Sequence, residues 1–555
     1  MNTLKFGSAA ALAAFALAGC GDNDNDIDPG VAPLPPVQQI PQLPQLSPAV
    51  GATLGACTEL TSRIAYPEAV ITAATSLAAG ALSIAGKPVG QHCLVTGQLA
   101  RRTSPVDGTA YAIGFEMRLP LTWNGRFFYQ ANGGVDGSVV TATGPVGGGG
   151  PLENALNLGF AVISSDAGHQ APTPFFGVDP QARLDYGYQA VGKLTPLAKN
   201  IIQTAYGKGP DRSYIGGCSN GGRHAMVAAA RYADQYDGFL AGNPGYRLPL
   251  AAIANVAGAK TYAALATTPG DLGTGFTLAE RTLVSNAVLG KCDALDGVAD
   301  GLVQDTGACQ KAFDLNRDVP TCSATRDGTC LSSAQKTGIA ALFAGAKTEI
   351  GATIYTSFPY DAGLATAGWA SWKFTAPMQR DAGAIAFIWQ VPPSTVAGFD
   401  GNAFALNAKL DALLASIKAT NGTYQENALS FMLPPNPGNL GTLKNRGAKM
   451  LVYHGTSDPI FSSDDTTSWY EQLRAANSGD ASNFARYFQV PGMNHCSGGP
   501  ATEQFDMLTP LVNWVEKGQA PDSVTASARV AGNAGGVNAD VPAGWRVVFG
   551  EADRA

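Results

Sequence analysis

Short runs of apolar residues, each closed by a glycine-rich or polar turn, recur through the first half of the chain and again near its end. Residues 111–118 and 126–130 read as strands, 160–164 as a buried one, and 188–206 carries the three-to-four-residue apolar period of an amphipathic helix. Residues 213–216 read as another short buried strand, followed by a helix over 222–229, and 449–453 and 485–490 are two further apolar runs. Strands alternating with helices predict βαβ units and hence an α/β fold on a mostly parallel sheet. The alternation breaks near Leu248 and resumes near Lys449. Between them the pattern is irregular, rich in Ala, Gly, Thr and aromatic residues, and it reads as an insertion. The expected layout is a core in two parts, 51–247 and 446–555, with an inserted lid over 248–445.

Composition narrows the function classes. With 555 residues, 45% of them hydrophobic, the chain can bury a large core, and a net charge of −7 gives no reason to expect nucleic acid as a partner. Lys5 precedes a short apolar stretch over 9–18 that ends in Leu17-Ala18-Gly19-Cys20. Small residues before a cysteine predict a lipoprotein signal peptide over 1–20 with Cys20 lipidated; an ordinary secretory signal cut nearby is the alternative. Either way the protein is exported, and any membrane contact would run through the lipid alone. Residues 21–50, acidic and then Pro-rich, read as a flexible tether. Apart from Cys20 there are eight cysteines, an even number that predicts disulfides in an oxidising compartment without fixing their connectivity.

The chemistry gathers at Gly217-Cys218-Ser219-Asn220-Gly221, a G-x-S-x-G turn between the 213–216 strand and the 222–229 helix. That is the context of a nucleophile elbow, in which small neighbours let a serine sit on a tight turn at a helix N-terminus. A serine nucleophile needs a base and the base needs an orienting carboxylate. The α/β-hydrolase order places an acid and then a histidine on later strand-end loops. Asp458 follows the 449–453 run, and His495 follows the 485–490 run. Of the other four histidines, His92 reads as structural or on the surface, His169 as a cleft residue that precedes the serine, His224 as flanking the elbow, and His454 as bracing the Asp458 loop. The glycine-rich stretch 132–137 suits an oxyanion loop, which nominates the backbone N–H groups of Gly134 and Asn220; an ordinary turn has the same composition. Cys218 and Cys496 adjoin the serine and the histidine. If those two are hydrogen-bonded, a bridge between their neighbours would staple the loops; two separate thiols are the alternative.

Within the insertion, Cys292-Asp293-Ala294-Leu295-Asp296-Gly297-Val298-Ala299-Asp300-Gly301 offers three carboxylates that suit Ca²⁺, with carbonyls such as those of Val298 and Leu302. It is not an EF-hand, and a solvated acidic turn would look alike. Cys292 and Cys309 are placed to close the loop.

Five stretches together resemble the tannase and feruloyl esterase family of serine esterases: Asn124-Gly125-Arg126-Phe127-Phe128, Gly217-Cys218-Ser219, the Cys292–Gly297 stretch, Tyr453-His454-Gly455 with Ser457-Asp458, and Pro491 to Pro500 around His495-Cys496. The resemblance implies an α/β-hydrolase core with a large lid, and esters of aromatic acids as substrates. It implies lid Ca²⁺ at Asp293, Asp296, Val298, Asp300 and Leu302, with no organic cofactor. It also implies the bridges Cys218–Cys496, Cys57–Cys93, Cys292–Cys309 and Cys322–Cys330. Some members act on a terephthalate half-ester, with a lid tryptophan on the ring and a lid arginine on its free carboxylate. Trp372 matches the first and Arg380 the second, although Ala384 and Ile385 replace aromatic and hydroxyl residues just beyond; a surface charge is the alternative reading of Arg380. Phe461 matches a ring-contacting position. The expected function is hydrolysis of phenolic or benzoic-type esters through an acyl-enzyme, with terephthalate half-ester hydrolysis or a non-catalytic surface lipoprotein as alternatives.

Overall fold

The computed structural model describes residues 43–84, 86–145, 154–530, 538 and 546–550, the last five as backbone only. The signal peptide, Cys20 and most of the tether lie outside the described residues.

Nine strands form the main sheet: β1 (Ala69–Leu77), β2 (His92–Thr103), β3 (Ala110–Pro120), β4 (Arg126–Gln130), β5 (Ala161–Ser165), β6 (Arg212–Cys218), β7 (Gly238–Gly242), β8 (Lys449–Gly455) and β9 (Ala485–Val490). Their order is β9-β8-β7-β6-β4-β5-β3-β2-β1. From β9 to β5 every pairing is parallel, while β3, β2 and β1 are antiparallel. The stretch 111–118, read as part of a βαβ pattern, therefore pairs antiparallel with both neighbours. Only a short turn, 104–109, joins β2 to β3, and so short a link permits no parallel crossover. Burial follows the same division. β5, β7 and β8 are buried at every position, whereas β2 alternates along much of its length.

Helix α1 (Ala190–Tyr206) ends at Gly207, whose φ of 76° carries the left-handed turn that lets its N–H reach back to Gln203. Helix α2 (Asn220–Arg231) starts directly at the elbow. The insertion differs from the expected irregularity, being largely helical: α3 (Leu248–Leu265) and α4 (Leu278–Cys292) lead it. Buried residues occupy nearly every position of the first three turns of α3, so no amphipathic period shows in its sequence. A reciprocal cap between Thr277 and Glu280 starts α4. Val256, Tyr262, Phe276 and Trp369 of the insertion share one apolar cluster with Tyr186 and Phe461 of the core. At about 1.5–3 kcal/mol for each fully buried large side chain, that shared cluster holds the insertion firmly on the core.

Helix α5 (Leu508–Lys517) receives the chain's early residues. Gln45 donates to the Val515 carbonyl at 2.8 Å and the Ala49 N–H to Glu516 at 2.9 Å. Residues 43–50 are thus docked rather than the end of a free tether. Among the described residues four disulfides are formed, Cys57–Cys93, Cys218–Cys496, Cys292–Cys309 and Cys322–Cys330, the pairs implied by the resemblance.

Candidate active site

β6 ends at Cys218 and α2 begins at Asn220, leaving Ser219 alone on the turn at φ 65°, ψ −126°. A non-glycine residue in that region costs about 1–3 kcal/mol, so its surroundings must hold it there. The Ala131 carbonyl explains the small neighbours: a Cβ on Gly217 or Gly221 would lie 2.2 or 2.3 Å from it. The Ser219 N–H donates to the Gly242 carbonyl at 2.9 Å, tying the turn to the end of β7.

Asp458 lies three residues beyond β8 and His495 five residues beyond β9, as expected of strand-end loops. The structure brings both to Ser219. His495 Nε2 is 2.8 Å from Ser219 Oγ, and Nδ1 is 2.7 Å from Asp458 Oδ2. Asp458 also accepts from Asn243 Nδ2 at 2.8 Å and from the N–H groups of Ile460 and Phe461 at 2.9 and 3.1 Å. Burial alone would raise this carboxyl, but the adjacent His495 and His454 rings outweigh it and hold Asp458 well below the ordinary carboxylate range. An ionised Asp458 only accepts, so Nδ1 of His495 carries the proton and Nε2 presents its lone pair to the serine. The Cys218–Cys496 bridge, with Cα atoms 6.1 Å apart, joins the residues next to Ser219 and His495.

The loop after β4 lies against the elbow, for a Cβ on Gly133 would come within 3.9 Å of the Ser219 Cβ. Gly134, at φ 67°, lines a pocket together with Ser219, Asn220, Arg380, Asp381 and Phe461. Phe461 and Trp372 both stand edge-on to the His495 ring, at 5.2 and 5.0 Å. Arg380 is exposed on one side and stacks over Trp372 at 4.7 Å on the other. Arg380 therefore both lines the pocket and reaches the surface.

The remaining histidines are buried and occupied. His454 bonds Thr466 Oγ1 and the Phe461 carbonyl across the acid loop, at 2.8 and 3.0 Å. His169 donates through Nε2 to the Val135 carbonyl at 2.8 Å, and burial lowers its pKa to about 4. His92 meets Arg118 and the Gly90 carbonyl, and His224 meets Asp136.

In the acidic turn, Asp293 Oδ1 accepts from the N–H groups of Asp300 and Gly301 at 2.9 Å, Asp296 Oδ1 from Val298 at 2.9 Å, and Asp300 Oδ1 from Leu302 at 3.1 Å. Burial first, then the nearby carboxylates of Asp296 and Asp293, raises the pKa of Asp300. The all-oxygen donor set matches a hard cation in chemistry. Among the described residues, no three His, Cys, Asp or Glu side chains are gathered closely enough to hold a metal ion. The turn would have to draw its carboxylates together to do so. Leu302 packs beneath the His495 loop, its Cδ2 within 3.4 Å of where a Cβ on Gly492 would stand.

Several residues at the site carry no motif. Asp361 of the insertion braces the acid loop, accepting from the hydroxyls of Ser457 and Thr456, and Thr366 bonds Asn494 at 2.9 Å. Asp381, 5% exposed, has a carboxylate oxygen that meets no hydrogen-bond partner among the described residues. Tyr186 lines the pocket, and Asp136 and Arg223 are buried and bonded to Asn220. Isolated polar residues of this kind give no sequence signal, since only the packing of distant segments shows what they meet.

The chain is similar to known proteins along most of its length. The family model described as tannase and feruloyl esterase matches residues 93–541. A mono(2-hydroxyethyl) terephthalate hydrolase from Piscinibacter sakaiensis is 40% identical over 479 residues, covering 79% of this chain and 78% of that protein. A probable feruloyl esterase B-1 from Neosartorya fischeri is 27% identical over 440 residues, covering 74% and 75%. Among solved structures, feruloyl esterase B from Aspergillus oryzae superposes with a TM-score of 0.71 at 23% identity, covering 89% of this chain and 95% of that one. A tannin acyl hydrolase from Aspergillus niger gives 0.65 at 18%, covering 90% and 92%. These two likenesses support the α/β-hydrolase fold.

Proposed function

The chain belongs to the tannase and feruloyl esterase family and is an ester hydrolase of that kind, and from this premise we propose that it is an exported serine esterase acting on esters of aromatic acids. The observation that carries the reading is the hydrogen-bonded relay from Ser219 Oγ through His495 to Asp458, at 2.8 and 2.7 Å. His495 Nε2 takes the serine proton as Oγ attacks the ester carbonyl. The N–H groups of Gly134 and Asn220 receive the charge that develops on the carbonyl oxygen, with the N-terminal end of α2 adding its field. His495 then returns the proton to the departing alcohol, leaving the acyl group on Ser219. Water, deprotonated by the same nitrogen, releases the aromatic acid. Asp458 keeps Nδ1 protonated throughout.

The rings of Trp372 and Phe461 beside His495 suit an aromatic acyl group, and Arg380 in the same pocket suits an acidic or strongly polar ring substituent. The arginine, together with the 40% identical terephthalate half-ester hydrolase, supports a second substrate within the same chemistry, a terephthalate half-ester. Four disulfides support export. Anchoring through a lipidated Cys20 completes this proposal for location. Calcium on the 293–302 turn would be held by Asp293, Asp296 and Asp300 with the Val298 and Leu302 carbonyls. It would supply structural order beneath the His495 loop. Calorimetric titration of chelator-treated protein with Ca²⁺ should show binding and a raised denaturation temperature.

The test is a panel of gallate, ferulate, 4-hydroxybenzoate and terephthalate half-esters, hydrolysed by the wild type and by Ser219→Ala. The reading expects at least one aromatic ester to be cleaved rapidly by the wild type and none by the variant. Binding without turnover in the wild type would favour a non-catalytic surface lipoprotein.

A further inference from the structure

Along the Ser219 pocket, which Tyr186 and Asn220 help to line, runs a set of buried polar side chains to which the chemistry above gives no task. Asp136 stands two residues beyond Gly134 on the glycine-rich loop, and Asn220, Arg223 and His224 stand on the first turns of α2. Tyr186 comes from the segment before α1. None is more than 6% exposed. Burying so many polar groups is costly unless each is satisfied, so their arrangement needs a reason.

Their bonds form a circuit. Asn220 Nδ2 donates to Asp136 Oδ2 at 3.0 Å, and Asn220 Oδ1 accepts from Arg223 Nε at 2.6 Å. His224 Nε2 lies 3.1 Å from the same Asp136 oxygen, and Arg223 Nη2 lies 3.2 Å from His224 Nδ1. Arg223 also donates to the carbonyls of Tyr186, Gly187 and Met432 at 3.1, 2.8 and 3.2 Å. Tyr186 closes the loop by donating its hydroxyl to the Gly134 carbonyl at 3.2 Å. His224 meets Asp136 through Nε2 and Arg223 through Nδ1, while burial raises the Asp136 carboxyl well above the ordinary carboxylate range against the pull of Arg223. Burial and then the Arg223 charge hold the pKa of His224 well below its ordinary value, which keeps the ring neutral.

The two ends of this circuit are the two backbone positions proposed to meet the oxyanion. One is Gly134, held by its own carbonyl and, through the loop, by Asp136. The other is Asn220, held by its side chain. They come from segments 86 residues apart, on loops after different strands, and among the described residues no disulfide joins those two loops. Oxyanion stabilisation requires both N–H groups about 2.7–3.1 Å from the charged oxygen, so their mutual spacing has to be set in advance.

We propose that Asp136 and Arg223, acting through the Asn220 side chain, His224 and Tyr186, are positioning residues that clamp the Gly134 and Asn220 N–H groups at the spacing the tetrahedral intermediate needs. The proposal rests on the serine esterase reading. It places the network's effect on the transition state and not on ester binding.

Asn220→Ala is the direct test, because it deletes the link while retaining the backbone N–H. The clamp predicts that kcat falls about tenfold to a hundredfold with KM changed less than about threefold. Affinity for a phenylboronic acid, which becomes tetrahedral on Ser219, should fall by the same factor, while affinity for the aromatic acid product stays unchanged. Asp136→Asn, which keeps the side-chain shape, should show the same split and carries the test if the first variant does not fold. A folded Asn220→Ala enzyme with wild-type kcat would overturn the clamp, as would a loss of kcat with unchanged boronic acid affinity. Should wild-type enzyme ignore the boronic acid and Ser219→Ala remain active, the esterase reading itself would fall, a result distinct from either.

Discussion

The loops after β6, β8 and β9 meet through a disulfide and through hydrogen bonds of 2.7–2.8 Å, whereas the insertion meets the His495 ring itself through an aromatic contact. Trp372 stands edge-on to His495 at 5.0 Å, and Arg380 rests on Trp372 at 4.7 Å. The segment that carries them, 371–389, winds through successive wide turns with i→i+5 hydrogen bonds, at Ser371–Thr375, Pro377–Asp381 and Ala384–Trp389. Directional bonds at fixed lengths are what proton transfer requires. Ring contacts tolerate a change of partner. The contrast teaches that reaction and selectivity are built from different interactions, so substitutions should separate them.

The largest effect belongs to the bonded side. Asp458→Asn should lower kcat by about 10⁴-fold with the fold intact, because the histidine loses the acceptor that fixes its tautomer. Steady-state kinetics with any accepted aromatic ester will show whether it does. A loss below about tenfold would mean that the relay is not what drives the reaction.

Next comes the bridge. Cys218–Cys496 spans 278 residues of sequence and Cys322–Cys330 only 8. In the chain-entropy account the first contributes about 5.6 kcal/mol and the second about 2.5. Replacing Cys218 and Cys496 together by serine should therefore lower both denaturation midpoint and kcat, the latter about tenfold to a hundredfold as the elbow and the His495 loop lose register. Replacing Cys322 and Cys330 should cost stability alone. Equal kinetic effects from both pairs would erase the distinction drawn here.

On the ring-contact side, Arg380→Ala should change the ratio of kcat/KM between a terephthalate half-ester and its neutral diester by about tenfold, while kcat for the better neutral ester stays within a few-fold. A uniform loss across the panel would place Arg380 with the reaction rather than with selectivity.

The smallest effect concerns stability against pH. Burial pushes the Asp381 carboxyl up to about 7, against the pull of Arg380, Asn255 and Lys373. A carboxyl whose folded pKa is raised keeps an extra proton in the native state, so its stabilising contribution is present below about pH 4 and is lost as pH rises through 7. Asp381→Asn does not titrate. The variant's denaturation midpoint should therefore gain on the wild type between pH 4.5 and 7.5, by a few degrees; a pH-independent gap would refute the raised pKa.

What the sequence displayed and what it concealed follow the same contrast. Ser219, Asp458 and His495 sit in local patterns, each a buried run followed by small or turn-forming residues, and the structure carries all three to one point. The cysteines next to two of them marked the bridge. The antiparallel flank was hidden, because β3 differs from a parallel strand only in its alternating burial and in the short turn before it. Helix α3 was hidden for the opposite reason: apolar on nearly every side, it has no period to read. The clamp residues Asp136, Arg223 and Tyr186 are single polar residues on three segments, and their meaning arises only where those segments pack together.

Whether Ser219 carries the acyl group is decided most directly by mass spectrometry of protein quenched during turnover of an aromatic ester. The account predicts an added mass equal to the acyl group on the peptide containing Ser219, absent from Ser219→Ala, with that variant inactive. Rapid hydrolysis by the Ser219→Ala protein, or an acyl adduct found on another residue, would contradict it.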